Sequence, residues 1–411
     1  MSQSRDRTTT TPWLRTRRGL VAATTLVLAS TALAACQSGK GTTSSDTPAG
    51  EASSSAPAVP PVTVTTSVGR DAKDVPITHS VRVHASGGSL KSVSVRSAEG
   101  TLRGAMAGDA WTASGRLEPG TVYTVKAVAE RSDGKQVTRT SRFHTHDLTL
   151  DEQTFASIAP LQGETVGVGM PVIVTFDIPV TDKAAIEKHM SVNATPRQPG
   201  AWHWLSDQEV HWRPKHYWRA GSSVDVDVDI NSIPAGAGIY GQESRHVEFD
   251  IGDANIYKVN MDTHQMRVLS NGSLLRTIPI TTGEEPKFTT RSGVMVILEK
   301  FRKKRMNSET IGIDRNSPDG YDIDDVEYAM RVTYSGEFVH AAPWSVGDQG
   351  SANVSHGCTG MSTANAGWLY NMSRRGDVVE YTGTDKPMEL TNGYGDWNLD
   401  FADWSAGSAL S

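Results

Sequence analysis

"TVYTVKAVAE", residues 121–130, alternates its side chains at period two. Tyr123, Val125, Ala127 and Ala129 fall on one side of an extended chain, and Thr124, Lys126 and Glu130 on the other. That spacing matches the two faces of a half-buried strand and not the stripe of a helix. The same texture runs on both sides of it, in "VTVTTSV" (62–68), "SVRVHAS" (80–86) and "KSVSVRS" (91–97). Turn pairs at Gly87-Gly88, Gly108-Asp109 and Asp133-Gly134 separate the runs. Short alternating strands at this spacing predict a small antiparallel β-sandwich over 61–147.

The pattern restarts in "GMPVIVTFDIPV" (169–180), "GAWHWLSDQEVHWRP" (200–214) and "SSVDVDVDINS" (222–232), which predicts a second sandwich over 148–250. Trp202 and Trp204 share a face, and a polar turn at 206–208 leads to Val210 and Trp212, the pattern of a hairpin with aromatic cross-strand pairs. His144 and His146 lie on one face with no third ligand near them, and His203, His211 and His216 sit among tryptophans; all five read as structural.

From residue 251 to 384 the texture changes. "NIYKVNMDTHQMRVLSNGSLLRTIPITTG" (255–283) reads as strands around an Asn271-Gly272 hairpin turn. "RSGVMVILEKFR" (291–302) adds a strand, and "GYDIDDVEYAMRVTYSGEFVHAAPW" (320–344) adds two more. Only "STANAGWLYNMSRR" (362–375) reads as a helix, capped by Ser362, with Leu369 and Met372 on one face and Gly376 as its end. The acidic loop "DRNSPDGYDID" (314–324) fails as a calcium loop, because Pro318 takes a ligand position and the glycine is one residue late. An aromatic tail, 385–411, is expected to pack on the preceding domains. The fold class is therefore mainly β: two sandwiches, then a β-rich third domain with one clear helix.

The first 35 residues read as a signal peptide. Arg15, Arg17 and Arg18 precede an apolar run from Gly19 to Leu33, which is shorter than the ~20 residues of a membrane span. Leu33-Ala34-Ala35-Cys36 resembles the lipobox of bacterial lipoproteins, which implies lipidation of Cys36 and a membrane-anchored exported protein. The Ser/Thr/Pro/Ala/Gly-rich segment 36–60 then serves as a flexible tether. Five Arg and one Asp precede Cys36, a net charge of +4, so removing them takes the chain from −6 to −10. No basic cluster suggests nucleic acid.

With Cys36 lipidated, Cys358 is the only thiol left of two cysteines, and it has nothing to pair with. An exported chain that keeps one thiol points to chemistry. A nucleophilic thiol needs a base, since its ordinary pKa is ~8.5. His340, 18 residues upstream, can lie on a neighbouring strand and face it as general base or imidazolium partner. His356, two residues before Cys358, would lie on the same strand with its root ~6.5–7 Å away, a supporting position. Gly357 lets backbone approach closely, and the N–H groups of Gly357, Cys358 and Thr359 are candidates for an oxyanion hole. Together these residues describe acyl transfer through a thioester.

"GEFVHAAPWSVGDQGSANVSHGCTGMS" (336–362) resembles the active-site signature of the L,D-transpeptidases with a YkuD-type catalytic domain. "RTIPITTG" (276–283), "TRSGVMVI" (290–297), "DGYDI" (319–323) and "RRGDVVEYTGT" (374–384) extend the resemblance. The upstream sandwiches and the tail resemble actinobacterial lipoprotein members, which carry immunoglobulin-like domains. The resemblance implies Cys358 as nucleophile and His340 as its partner. It also implies Tyr321 on a flap over the pocket, Met306 lining it, and Trp344, Ser345 and Ser355 among the substrate-binding positions. Two positions depart from the family pattern: Ala341 stands where Ser is common, and Gly360 where Asn or Arg is often found.

The implied reaction takes a peptidoglycan tetrapeptide stem, releases its terminal D-alanine, and passes the acyl group to a diamino acid amine of another stem. That forms a 3→3 cross-link. No metal or organic cofactor is implied, and carbapenem-type β-lactams are implied as covalent inhibitors. An L,D-carboxypeptidase using water as acceptor, or a non-catalytic wall-binding scaffold, stands as the alternative.

Overall fold

The alternation at 121–130 becomes the strand Val122–Glu130, in which Tyr123, Val125, Ala127 and Ala129 are buried while Val122 is 54% exposed. It pairs along its whole length with Gln136–Thr145, and Tyr123 stacks on Phe143 at 5.2 Å. This computed structural model describes residues 60–411. The expected signal peptide, Cys36 and, but for Pro60, the expected tether lie outside the described residues.

Two four-stranded sheets close the first sandwich around Val83, Val95, Trp111, Leu117 and Phe143. Two more form the second, whose central strand Ser223–Val228 buries Val224, Val226 and Val228 and turns its aspartates outward. The tryptophan hairpin forms as read, with Trp202 opposite Trp212. His144 and His146 face separate carboxylates, Asp147 at 3.8 Å and Asp74 at 3.2 Å.

The third domain holds a five-stranded sheet, in the order Ser273–Pro279, Gln265–Ser270, Asn255–Asn260, Val378–Thr382, Gly293–Val296. A four-stranded sheet runs Glu299–Asn307, Asp322–Arg331, Phe338–Ala341, Thr359–Met361. Asn271 and Gly272 both take positive φ, 48° and 82°, as a tight two-residue hairpin requires. The Thr363–Met372 helix is capped by the Ser362 hydroxyl, which accepts from Asn365 N–H. It ends before Gly376, at Met372, because the Ser373 hydroxyl donates to Leu369 O and the chain turns extended there. Two shorter helices, Lys183–Glu187 and Phe401–Ala406, are too brief to show a period.

The acidic side chains of 314–324 go to turns and cations. Asp314 accepts from Asn316 N–H, Asp319 pairs with Lys287 at 2.6 Å, and Asp322 pairs with Arg305.

The second sandwich and the third domain share one core, since Val296, Leu298, Val378 and Tyr394 pack in the same cluster as Val172 and Phe249. The tail straps across both. Trp397 Nε1 donates to Gly169 O, buried Trp404 donates to Ala201 O, and Arg213 lies 4.8 Å from the ring centroids of both tryptophans. Beneath the strap, buried His211 sits 3.0 Å from the buried carboxylate of Asp396 and 2.9 Å from Glu209. Burial alone would lower the imidazole pKa, but the two carboxylates outweigh it and raise it to about 9.

A folded-state pKa above the unfolded value stabilises the fold fully below pH ~6.5, and the contribution fades as pH rises through the folded value. The melting temperature is therefore expected to fall between pH 7 and 9.5, and His211→Gln is expected to flatten that decline. Parallel slopes for the two proteins in thermal scans would contradict it.

Candidate active site

Phe338–Ala341 and Thr359–Met361 pair in parallel, Val339 opposite Thr359 and His340 opposite Gly360. This register places Cys358, one residue ahead of its strand, beside His340 in a cleft of about 380 Å³ that both side chains line. Gly360 exchanges both backbone hydrogen bonds with Thr281 on its other side, and a Cβ there would lie 2.8 Å from that of Ala342. Glycine at 360 is thus a packing requirement.

His340 is 5% exposed, and its Nδ1 lies 2.8 Å from Ala341 O. A carbonyl can only accept, so Nδ1 carries the proton and Nε2 is left as the basic nitrogen. The bond uses a main-chain carbonyl, so alanine at 341 serves as well as serine. Burial lowers the His340 pKa and raises the Cys358 thiol to about 12, with the Glu337 carboxylate adding to the latter. The resting pair is therefore a neutral thiol and a neutral imidazole, a general-base arrangement and not a preformed ion pair. At rest Sγ donates weakly to Gly336 O at 3.6 Å, so engaging His340 requires the thiol to leave that carbonyl.

Ser355 makes an isolated bridge to Gly283 and the chain bends at 356–357, so His356 and Cys358 do not share a strand, which corrects their expected strand spacing. Gly357 has φ +116°, a conformation L side chains rarely adopt. The bend is pinned from inside: Ser355 Oγ donates to Cys358 O at 2.6 Å and accepts from Gly357 N–H, while Thr290 Oγ1 donates to Gly357 O. Ser355 thus spends its hydroxyl on the backbone and has none left for substrate. Ser345 is likewise buried with its hydroxyl turned to Ala342 O.

The oxyanion candidates narrow for the same reason. Gly357 N–H goes to Ser355. Gly360 bonds to Thr281, so by strand alternation Thr359 N–H turns into the pairing with Phe338–Ala341. Cys358 N–H is the one of the three without a partner among the described residues.

His356 packs between Phe288 (4.3 Å) and Tyr321 (5.0 Å), its Nε2 buried and without a hydrogen bond among the described residues. Tyr321 and Met306 line the cleft. Burial and the nearby sulfur raise the Tyr321 hydroxyl to about 12, so it stays a proton donor. Trp344 is 57% exposed at the mouth, its ring 5.9 Å from that of His340.

A family model described as the L,D-transpeptidase catalytic domain matches residues 254–380, and one described as a bacterial Ig domain matches 72–234. L,D-transpeptidase 2 of Mycobacterium tuberculosis is 36% identical over 350 residues, covering 84% of this chain and 85% of its own length. This chain belongs to the L,D-transpeptidase family. L,D-transpeptidase 1 of the same organism is 40% identical over 228 residues, 56% of this chain and 84% of its own length. A solved structure of an LD transpeptidase in complex with imipenem is 38% identical, with a TM-score of 0.49, covering 56% of this chain and 99% of that chain.

The transpeptidase site also rests on residues the sequence did not single out. Asn353 Oδ1 accepts from both Thr282 groups and lies 2.9 Å from the His264 ring, and its amide donates to Met261 O. Arg291 and Glu337, 13% and 9% exposed, form an ion pair at 3.2 Å beneath the bend. Nothing in a single sequence marks them, because their partners are 46 to 92 residues away.

A neutral resting thiol has a measurable signature. Alkylation of Cys358 by iodoacetamide, followed by intact mass, is expected to accelerate through pH 10 without levelling near the ordinary thiol pKa of ~8.5. A plateau below pH 8 would mean a preformed thiolate.

Proposed function

We propose that this L,D-transpeptidase takes a tetrapeptide stem of peptidoglycan as acyl donor and the side-chain amine of another stem's diamino acid as acceptor. The observation that carries the reading is the shared cleft of His340 and Cys358, with a basic Nε2 and a neutral thiol. In the first half, His340 Nε2 takes the thiol proton as Sγ attacks the carbonyl of the third residue. The tetrahedral oxyanion is met by Cys358 N–H, with the protonated Tyr321 hydroxyl lining the same cleft as a second candidate donor. His340 then returns the proton to the departing amine, D-alanine leaves, and a thioester remains. In the second half, an amine nitrogen attacks the thioester, the C–N bond forms and the C–S bond breaks. The amine proton passes through His340 to sulfur, restoring the thiol.

A β-lactam carbonyl offers the same sulfur a strained acyl group, so carbapenems acylate Cys358 in this reading. Intact-mass analysis is expected to show a single carbapenem adduct, lost in Cys358→Ala. His340→Ala is expected to slow acylation by ~10²-fold or more, against less than about threefold for the helix-cap change Ser362→Ala. Equal labelling of Cys358→Ala would overturn the assignment.

The cellular setting proposed is an exported protein held to the membrane by a lipid on Cys36. The tether and sandwiches then hold the catalytic domain out toward the wall. The motif Leu33-Ala34-Ala35-Cys36 supports it. Metabolic labelling with a palmitate analogue is expected to mark the protein and to be lost in Cys36→Ala; retained label would refute the anchor.

A further inference from the structure

Cys358, His356 and Tyr321 form a partition between two clefts of opposite character. On one side, a cleft of about 350 Å³ is lined by Lys287, Arg291 and Lys386, with Glu337. Arg291 is committed to Glu337, and Lys287 to Asp319. Lys386 Nζ donates to Thr289 O and has no carboxylate partner among the described residues. On the other side lies the cleft of His340 and Trp344, and among the described residues its one carboxylate is Asp348.

Asp348 is held by its backbone and free at its side chain. Its N–H donates to Ser345 O, and its carbonyl accepts from Ser351 and Ala352 N–H, which fixes the turn between Trp344 and the active-site bend. Asp348 is half-buried as a residue, and its carboxylate has no hydrogen bond and no ion pair among the described residues. A carboxylate on a cleft wall with no cation beside it is a ready site for one that arrives. The exposed face of Trp344 on the same cleft suits a cation as well.

Resting on the reading of the site given above, we propose that Asp348 recruits the acceptor: the ammonium form of the diamino acid side chain enters the His340 cleft by pairing with the Asp348 carboxylate. The transfer balances as follows. The ammonium gives one proton to solvent and becomes a free amine, which attacks the thioester carbonyl. The C–N bond forms, and the C–S electron pair stays on sulfur. The second proton leaves the new amide nitrogen for His340 Nε2 and passes to Sγ. Asp348 acts before the bond change, as a specificity-determining residue that favours a cationic nucleophile over water. Such a contact weakens with salt, because the cleft is open to counter-ions.

The test uses the full chain with a synthetic tetrapeptide donor and, as acceptor probe, Nα-acetyl-lysine amide, whose side chain is an ammonium at pH 7.5. In Asp348→Asn the acceptor KM is expected to rise about five- to tenfold, with kcat at saturating amine within about twofold of wild type. Hydrolysed tripeptide is expected to gain at the expense of cross-linked product, and Asp348→Glu is expected to restore most of the KM. Raising ionic strength is expected to increase the wild-type KM and leave that of Asp348→Asn flat. Hydroxylamine, a nucleophile uncharged at this pH, is expected to react with the thioesters of the two proteins at rates within about twofold. An unchanged amine KM, or an equal loss toward hydroxylamine and the amine, overturns the proposal; the second result would make Asp348 a structural residue. Carbapenem acylation of the wild type separates this outcome from failure of the site itself. A wild type that takes no adduct sinks the reading of Cys358, whereas an acylating wild type with an insensitive Asp348→Asn sinks only the acceptor assignment.

Discussion

The catalytic arrangement depends on one parallel strand pairing. Phe338–Ala341 and Thr359–Met361 meet in a register that sets His340 opposite Gly360, and so puts the imidazole beside a sulfur 18 residues further along the chain. Parallel strands cannot be joined by a tight turn, so the connection must be long. That connection, 342–358, became the site: it supplies Trp344 at the mouth, Asp348 on the wall, the Asn353 anchor and the glycine bend under the nucleophile. The pairing tolerates no side chain at 360, where Thr281 and Ala342 close in from two sides. A residue that looked like a departure from the family pattern is, in this chain, what allows the strand to dock.

The chemistry follows from the partial removal of this pairing from water, with His340 buried and Cys358 half-buried. Burial keeps both members of the acid–base pair neutral, and the single hydrogen bond from Nδ1 to a main-chain carbonyl decides which nitrogen is basic. The bend at 355–358 performs the complementary task. It holds Gly357 at a positive φ by two side-chain hydrogen bonds and leaves Cys358 N–H without a partner among the described residues. Hydroxyls that resemble substrate contacts in the sequence, those of Ser345 and Ser355, are consumed in building this backbone.

Beyond the site, the second sandwich is part of the catalytic body. Its core runs into that of the third domain, and the aromatic tail binds the two with Trp404, Trp397 and the buried His211–Asp396 pair. The first sandwich has its own core and meets the second through polar contacts, Arg116 with Asp229 and Asn231 with Glu118. The two sandwiches therefore couple differently to the enzyme, one by shared apolar packing and the other by an ion pair and a side-chain hydrogen bond.

Much of this was legible in the one-dimensional pattern. Period-two alternation depends only on local chain geometry, so the strands of both sandwiches, the Trp202–Trp212 hairpin and the Asn271-Gly272 turn could be read directly. The thiol of Cys358 and the histidine upstream were also visible, because residue type and chain separation sufficed to suggest them. What the tertiary structure alone decided was everything set by partners distant in sequence. That includes the protonation of the pair, the N–H left for an oxyanion, the Arg291–Glu337 and Asn353 supports, and the sorting of charge into two clefts. Alternation is a property of neighbours along the chain. Burial and hydrogen-bond partnership are properties of neighbours in space, and no local pattern encodes them.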